Sequence, residues 1–357
     1  MSVLDLVRPD LRQFSGYLSA RKQNGAGEIW LNANESAIQH AFDSQQLNRY
    51  PEPQPQQLKQ AMCGYYKIDD SQLLITRGSD EGIDILIRAL CEPGKDSIVI
   101  QSPTFGMYAV CAKLHACRVI DSPLQQTQTS FEWNVKQLIA DALNNQCKIL
   151  FLCSPANPTG QALPATDLEK ILCALQGKCV VVIDEAYGEY SKQASAIELT
   201  DQYKHLVVLR TLSKAHALAG ARIGCVIASP ELIAVLSACQ APYPIAKPSA
   251  ELALQAFSEQ NLQQTRMQVD NTISQRNFLA EQLRALPSVQ RVFDSQANFL
   301  LVEFQNATEL NNLLLKNGIV VRAMQQYPAL PSCLRISIGT DAENTHLLTL
   351  LTQNSLQ

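Results

Sequence analysis

Cys179-Val-Val-Val-Ile-Asp-Glu-Ala-Tyr187 joins a short apolar run to an acidic residue, and His205-Leu-Val-Val-Leu-Arg-Thr-Leu-Ser-Lys214 joins a second such run to a lysine. Runs this short and this rich in β-branched residues are typical of buried strands rather than helices. Similar runs cover residues 73–76, 97–100, 148–153 and 223–228. The sequence therefore predicts a series of short buried strands through the middle of the chain.

Amphipathic stretches separate several of these predicted strands. Apolar residues recur at helical spacing over residues 83–90 and again over residues 168–175. Alternating strands and helices predict an α/β fold with a mostly parallel central sheet flanked by helices on both faces. Ligands of such sheets bind beyond the carboxyl ends of the strands, so the residues that follow each run are the candidates for chemistry.

The pattern changes after the proline-rich residues 241–248. A long helical stretch is predicted over residues 250–286 and a helix over residues 308–316, with strands over residues 298–304, 318–324 and 333–338. This mixture is typical of a smaller α+β domain. The first forty residues and residues 50–55 are predicted to be irregular. We therefore divide the chain into an N-terminal arm with part of the small domain (1–45), a large domain (46–245) and a small C-terminal domain (246–357).

The composition narrows the class of protein. The 357 residues include 29 Lys and Arg against 33 Asp and Glu, a net charge of −4 that offers no electrostatic footprint for nucleic acid. The sequence shows neither the apolar core of a signal peptide nor an apolar run of ~18 residues, so we expect a cytoplasmic protein without a membrane span. The 11 cysteines include no Cys-x-x-Cys pair and no nearby His cluster, so we expect reduced thiols and no metal site.

Polar segments follow the first and third of the predicted strands. Arg77-Gly-Ser-Asp-Glu-Gly82 precedes an apolar helical face. Small residues entering a helix leave backbone N–H groups beside the positive end of the helix dipole, which suits a phosphate, although an ordinary N-cap explains the same residues. Ser154-Pro-Ala-Asn-Pro-Thr-Gly160 is either a simple turn or a segment that places the Asn157 amide at the edge of the sheet.

An acid and an amine follow two other strands. Asp184, at the carboxyl end of a buried strand, needs a cationic partner such as a protonated ring nitrogen, and Tyr187 follows three residues later. Lys214 precedes Arg222, and a lysine held among cations in a partly desolvated site becomes a nucleophilic amine. The alternatives are a turn residue for Asp184 and a solvated surface cation for Lys214. Together with a phosphate cup and an amide, however, these groups match what pyridoxal 5′-phosphate needs.

The motifs resemble those of the fold-type I pyridoxal-phosphate aminotransferases, and within them the histidinol-phosphate aminotransferase family. The resemblance covers nearly the whole chain in the family's order and is carried by residues 31–35, 48–51, 77–82, 103–108, 154–160, 184–187, 210–214, 219–222 and 333–339. The aspartate and lysine motifs identify the superfamily, whereas residues 31–35 (Leu-Asn-Ala-Asn-Glu) and 48–51 (Asn-Arg-Tyr-Pro) narrow it to the histidinol-phosphate branch. The resemblance implies a fold-type I transferase whose large domain binds the cofactor.

The resemblance also implies a role for each cofactor-binding residue. Lys214 would condense with the cofactor aldehyde and later shuttle a proton, and Asp184 would pair with the ring nitrogen. Asn157 and Tyr187 would hydrogen-bond the ring oxygen, and Phe105 would stack on the ring. The groups assigned to the cofactor phosphate are Ser79, Asp80, Ser213 and Arg222.

The implied reaction is transamination of L-histidinol phosphate with 2-oxoglutarate, which gives 3-(imidazol-4-yl)-2-oxopropyl phosphate and L-glutamate in histidine biosynthesis. Arg335 resembles the residue that binds the α-carboxylate of glutamate, because its planar fork matches a carboxylate. Arg322 resembles the residue that meets the substrate phosphate or the side-chain carboxylate of glutamate. Tyr17 and Asn34 match further substrate contacts. Tyr50 matches a residue that reaches the neighbouring subunit's cofactor, which implies a homodimer with shared active sites.

Three positions depart from the family pattern, and other functions remain open. Phe105 stands where tyrosine is common in the family, and Ala156 where asparagine is frequent. His216 stands where an aromatic residue usually follows the Lys-Ala pair. We interpret His216 as a packing substitute, with an acid–base group as the alternative. The competing functions are an aromatic-amino-acid aminotransferase, a threonine-phosphate decarboxylase, and a transcription regulator that uses this fold as an effector domain. The regulator is disfavoured because the first thirty residues carry no helix-turn-helix signal.

Overall fold

The computed structural model describes residues 2–20 and 29–354. Among these residues, no helix is both long and apolar enough to cross a membrane. The predicted domain boundaries 1–45, 46–245 and 246–357 stay predictions, and residues 1, 21–28 and 355–357 of those ranges lie outside the described residues.

The described residues form two main sheets and a short hairpin. The strands are β1 (Leu73–Thr76), β2 (Ser97–Ile100), β3 (Arg118–Asp121), β4 (Gln125–Gln126), β5 (Phe131–Glu132), β6 (Ile149–Cys153), β7 (Val180–Asp184), β8 (Leu206–Thr211), β9 (Gly224–Ile227), β10 (Val289–Val292), β11 (Phe299–Phe304), β12 (Arg322–Ala323) and β13 (Cys333–Ser337). The α-helices are α1 (Gln56–Tyr66), α2 (Gly78–Leu90), α3 (Met107–Leu114), α4 (Val135–Asn144), α5 (Ala165–Leu175), α6 (Pro230–Cys239), α7 (Lys247–Ala256), α8 (Glu259–Arg284), α9 (Ala307–Lys316) and α10 (Asp341–Asn354).

The larger sheet has seven strands in the order β1-β9-β8-β7-β6-β2-β3. Its strands run parallel except β9, which is antiparallel to both β1 and β8. Each of the six predicted strands is present to within about two residues, because buried β-branched runs leave few alternatives. The register aligns Cys153 with Asp184 and Asp184 with Leu209, so that β6, β7 and β8 end at the same edge.

Two apolar clusters cover the two faces of this sheet. Alternate residues of β7 contribute to each: Val181 and Ile183 join the cluster with α1 and α5, whereas Val180 and Val182 join the cluster with α2 and α3. Burying one such side chain contributes about 1.5–3 kcal/mol. A strand buried on both faces is therefore held rigidly, and so are the polar residues at its end.

The second sheet has four strands in the order β10-β11-β13-β12 and packs against α8, α9 and α10. Two predictions in this region need correction. The helical stretch expected over residues 250–286 is divided into α7 and α8, because Ser258 caps a new helix by accepting a hydrogen bond from the Asn261 N–H. Of the strand expected over residues 318–324, only β12 pairs with a neighbour.

The N-terminal region is irregular, as its sequence predicts. It contains 3₁₀ turns at Val3–Leu6 and Pro9–Leu11, and the described residues 29–55 contain neither helix nor strand. Further 3₁₀ turns lie at Asp70–Gln72, Gly188–Tyr190, Ala196–Leu199 and Ala219–Ala221. The turns at 188–190 and 219–221 lie beside the edge of the sheet where β7 and β8 end.

Candidate active site

The carboxyl ends of β6, β7 and β8 and the N-terminus of α2 open into one pocket. Nine of the ten predicted cofactor-binding residues line it: Ser79, Asp80, Phe105, Asn157, Asp184, Tyr187, Ser213, Lys214 and Arg222. The tenth, Tyr50, does not. The sheet topology thus brings together polar groups that follow four different strands, because parallel strands end at a common edge.

Asp184 is a buried acid whose side-chain partners are neutral. Its side chain is almost fully buried at the end of β7, where Oδ2 accepts a hydrogen bond of 2.8 Å from the Tyr108 hydroxyl and Oδ1 accepts one of 3.1 Å from the Ala186 N–H. Burial raises the pKa of Asp184 to about 6, although both hydrogen bonds lower it. A buried carboxylate with no cationic partner suits a positively charged ligand group.

Lys214 is a half-buried amine that lines the same pocket. Burial lowers the pKa of Lys214, and the nearby cation of Arg335 lowers it further, against the opposing effect of Asp80 and Asp184. Its Nζ lies 5.6 Å from the centroid of the Tyr187 ring. A lysine in these surroundings is a better nucleophile at neutral pH than a solvated one.

One end of the pocket is built from backbone and a guanidinium. No side chain caps the N-terminus of α2. An ideal Cβ on Gly224 would stand 2.6 Å from the Ser79 nitrogen, so only glycine in β9 lets the helix start approach this closely. Arg222 lies beside it, with Nη2 3.0 Å from Asp80 Oδ2. Backbone N–H groups at a helix start and an adjacent cation form a setting that suits a phosphate.

Aromatic rings and an amide shape the middle of the pocket. Phe105 contacts Tyr108 edge to face at 5.6 Å, and Tyr187 contacts Phe299 edge to face at 5.2 Å. Burial raises the pKa of the Tyr187 phenol, which therefore stays protonated. Asn157 is buried, and its carbonyl oxygen accepts a hydrogen bond from Arg335 Nη1 at 2.5 Å.

The two predicted substrate arginines lie on neighbouring strands of the smaller sheet. Arg322 of β12 is directly opposite Arg335 of β13 in the antiparallel register. Arg335 is half-buried and packs over the Phe299 ring at 5.4 Å, whereas Arg322 is exposed. Neither arginine lines the pocket itself: Arg335 is at its rim through the contact with Asn157, and Arg322 lies beside Arg335 in the sheet.

The structure does not bring three predicted residues into this pocket. Tyr17 has 69% of its surface exposed and lines a separate small cavity, and Asn34 is exposed with a φ of +55°. Tyr50 is half exposed and stacks on Tyr243 at 4.5 Å. Their assigned roles in substrate and cofactor binding stay predictions.

The structure also shows residues in the pocket or directly behind it to which the sequence gave no role. Tyr108 is fully buried, stacks on Phe151 at 4.8 Å and donates to Asp184. It belongs to the predicted motif 103–108, but only the fold reveals the contact. Thr211 and Cys153 line the pocket, and Thr211 Oγ1 lies 2.9 Å from Ser213 Oγ. Thr211 and Cys153 are each the last residue of a strand, and this position is the signal in the sequence that could have identified them.

His216 lies behind the pocket rather than in it. Its side chain is buried and contacts the rings of Tyr65 at 5.8 Å and Phe257 at 5.6 Å. Burial lowers the pKa of His216, so the ring is neutral at pH 7. The surroundings agree with the packing interpretation, since neither ring nitrogen has a hydrogen-bond partner among the described residues.

These groups fit pyridoxal 5′-phosphate in kind and in order. The residues that line the pocket provide an uncapped helix start, a guanidinium, a buried acid with neutral partners, a phenol, an amide and an amine. The fit rests on two observations. The buried Asp184 carboxylate accepts hydrogen bonds only from uncharged donors, and the start of α2 approaches Gly224 so closely that a Cβ there would stand 2.6 Å from the Ser79 nitrogen.

Comparisons with known proteins point the same way. The profile of the family "Aminotransferase class I and II" matches residues 21–351. A histidinol-phosphate aminotransferase of Xanthomonas axonopodis pv. citri is 48% identical over 351 residues, which is 98% of this chain and 97% of that protein. One of Xylella fastidiosa is 49% identical over 351 residues, or 98% of this chain and 96% of that protein.

Solved structures show the same fold. The histidinol-phosphate aminotransferase of Clostridium acetobutylicum superposes with a TM-score of 0.78 at 24% identity, over 87% of this chain and 91% of that one. That of Sinorhizobium meliloti, solved in complex with pyridoxal-5′-phosphate, gives a TM-score of 0.75 at 23% identity, over 87% and 84%. At these identities the likeness establishes the fold, which is the fold-type I architecture predicted from the sequence.

Proposed function

Because the chain belongs to the class I and II aminotransferase family, we propose that it transfers the amino group of L-histidinol phosphate to 2-oxoglutarate. The products are 3-(imidazol-4-yl)-2-oxopropyl phosphate and L-glutamate, and the reaction belongs to histidine biosynthesis. The observation that carries the substrate is the 48–49% identity, over nearly the whole chain, to proteins named histidinol-phosphate aminotransferase. The observation that carries the chemistry is the single pocket that nine predicted cofactor residues line.

The cofactor of this family is pyridoxal 5′-phosphate, which supplies an aldehyde for the substrate amine and a ring that withdraws electrons from the α-carbon. Asp184 would hold the ring nitrogen in its protonated state, because a buried carboxylate stabilises a cation beside it. Asn157 and Tyr187 donate to the ring oxygen, and Phe105 covers one face of the ring. The N–H groups of Ser79 and Asp80, the Ser213 hydroxyl and the Arg222 guanidinium bind the phosphate.

Lys214 acts twice in this proposal. Its lowered pKa gives a larger neutral fraction of the amine, so Nζ can attack the cofactor aldehyde. With substrate bound, Nζ of Lys214 would act as the base that takes the proton from the substrate α-carbon and as the acid that returns it. Its Nζ lies 5.6 Å from the centroid of the Tyr187 ring, so the amine is close to one of the groups that would orient the cofactor ring.

Two arginines account for two differently shaped substrates. Arg335, at the pocket rim, binds the α-carboxylate of glutamate through its planar fork. Arg322, opposite it in the sheet, meets the phosphate of histidinol phosphate or the side-chain carboxylate of glutamate. Tyr17 and Asn34 complete the substrate contacts in this proposal, and they reach the pocket only with rearrangement or from a second subunit.

We propose a homodimer with shared active sites, in the cytoplasm. Large apolar side chains are exposed along the N-terminal region: Phe14, Tyr17, Leu18, Ile29, Leu31, Ile38, Phe42, Leu47 and Tyr50. Such a concentration is typical of a surface covered by another protein. Tyr50 would then contact the cofactor phosphate of the partner. All eleven cysteines are free thiols, which supports a reducing compartment.

A spectroscopic experiment tests the proposal. Histidinol phosphate added to protein loaded with pyridoxal phosphate should remove the visible absorbance of the lysine-bound cofactor, and 2-oxoglutarate should restore it with the formation of glutamate. An unchanged spectrum would contradict the substrate assignment. Faster reaction with phenylalanine or tyrosine would favour an aromatic-amino-acid aminotransferase, and carbon dioxide released from threonine phosphate would favour the decarboxylase.

A further inference from the structure

A buried cluster of three charges lies just outside the cofactor pocket. Arg210, at the end of β8, places Nη1 2.7 Å from Glu185 Oε2 and Nη2 2.6 Å from Glu189 Oε1. All three side chains are less than 10% exposed. None of them lines the pocket that contains Lys214 and Asp184.

The cluster is held from several sides. Glu185 also accepts hydrogen bonds from the Ser195 hydroxyl at 2.6 Å and from the Ala196 N–H at 2.7 Å. The guanidinium packs over the Tyr66 ring at 5.4 Å. Burial alone lowers the pKa of Arg210, but Glu189 and Glu185 raise it well above its usual value, so the cation is permanent. Buried charges of this kind tolerate little displacement, because a displaced partner leaves an uncompensated charge.

The turn that this cluster grips carries two pocket residues. Glu185 directly follows Asp184, and Glu189 comes two residues after Tyr187. Gly188 lies in the same turn and faces the guanidinium: an ideal Cβ on Gly188 would stand 2.3 Å from Arg210 Nη1. The backbone of the turn thus lies directly against the arginine, and a side chain at position 188 would require the guanidinium to move.

We propose that Arg210, Glu185 and Glu189 are positioning residues that fix Asp184 and Tyr187 against the cofactor ring. These three residues, which we call the clamp, join the end of β8 to the turn after β7. Because Arg210 is four residues before Lys214, the clamp sets the spacing of the amine, the acid and the phenol. This inference rests on the proposed cofactor roles of Asp184 and Tyr187, and it is independent of which amine the protein uses as substrate.

Gly188→Ala is the sharpest probe, because its methyl group meets Arg210 Nη1 while the backbone φ of Gly188 lies outside the left-handed region. The matched control is Gly64→Ala, where a Cβ meets nothing within 4 Å. Arg210→Lys is the second variant: it retains a buried cation, which favours folding, but a single ammonium cannot reproduce the two-sided fork. His205→Ala is its control, since His205 is buried just before the opposite end of β8 and contacts the Leu172 carbonyl.

The readouts are the dissociation constant of pyridoxal phosphate, the pH midpoint of its visible absorbance and the thermal midpoint of the holoenzyme. We expect both clamp variants to bind the cofactor about tenfold or more weakly and to shift the pH midpoint, because small misplacements in a preorganised site have large effects. The two controls should leave both cofactor readouts unchanged, even where His205→Ala lowers the thermal midpoint. Clamp variants that lose thermal stability alone, with cofactor affinity and pH midpoint as in the parent, would overturn the inference. A parent protein that shows no lysine-bound cofactor would instead reject the proposed function.

Discussion

Replacing Asp184 with asparagine should make the cofactor-free protein more stable and the enzyme inactive. The carboxyl is 2% exposed, and its partners, the Tyr108 hydroxyl and the Ala186 N–H, carry no charge. Burial raises the pKa of Asp184 to about 6, from an ordinary value of 3.8. Folding therefore brings an ionised group into surroundings that disfavour its charge.

The sign and size of the effect follow from linkage. Because the folded pKa is above the unfolded one, the unfolded chain releases its proton first, and the stability of the folded state decreases as the pH rises from about 4 to about 6. A pKa difference of about 2 corresponds to about 3 kcal/mol, at roughly 1.4 kcal/mol for each pKa unit. Asp184→Asn removes this contribution. The free energy of unfolding of the variant should therefore exceed that of the parent by about 3 kcal/mol at pH 8, and this difference should narrow toward pH 4.

Urea unfolding of cofactor-free parent and variant between pH 5 and pH 8 measures this gap. Asp294→Asn is the control, because Asp294 is an exposed acid 3.2 Å from Arg284 and exposed ion pairs contribute little to the free energy of unfolding. Added pyridoxal phosphate should then stabilise the parent more than the variant, since only the parent offers a carboxylate to the ring nitrogen. A variant no more stable than the parent at pH 8, or a gap that does not change with pH, would refute the reasoning.

Four further substitutions test other parts of the site and fold. Lys214→Ala should fold and retain the cofactor without a covalent bond, so mass spectrometry after borohydride treatment should find no added pyridoxyl group and turnover should be almost absent. Arg335→Ala should fail with glutamate in a steady-state assay while the resting visible spectrum persists, because the lost contact is to substrate. Tyr108→Phe should raise the pKa of Asp184 by about one more unit, seen as a shift in the pH dependence of cofactor-free stability, because a hydrogen bond to a charged acceptor contributes about 1.5–3 kcal/mol. Gly64→Ala should stabilise α1 by about 0.5–1 kcal/mol in urea unfolding, and a loss of stability would show that the glycine is needed there.

The large sheet and the enzyme class could be predicted from sequence because their signals are local. The run Val180–Asp184 is apolar at every position before its acid, and the structure buries all five residues. The family match and the near-full-length identities confirm the aminotransferase class that the motifs predicted. The division of residues 250–286 into two helices was also within reach, since a serine three residues before Asn261 is an N-cap signal.

Other features could not be predicted, because they depend on contacts between distant segments. Tyr108 and Asp184 are 76 positions apart in the sequence. Tyr108 is at the start of α3, which follows β2, whereas Asp184 ends β7, two strands away from β2 in the sheet, and no spacing rule links the two. The same holds for Arg335, in the smaller sheet, and Asn157, in the turn after β6 of the larger sheet. Which glycines are required by close approach, as at positions 188 and 224, likewise depends on atoms that only the folded chain brings near.

The two adjacent acids at the end of β7 have different surroundings, and the difference agrees with the roles proposed for them. Glu185 is neutralised inside the protein by Arg210, with the Ser195 hydroxyl and the Ala196 N–H as further donors. Asp184 receives only neutral donors, and its raised pKa reflects that missing cation. A cation supplied by the protein would stabilise the empty fold but would compete with a ring nitrogen for the carboxylate. The stability given up at Asp184 is therefore the source of its affinity for a positively charged ligand, and the arginine next to it keeps that acid in place without neutralising it.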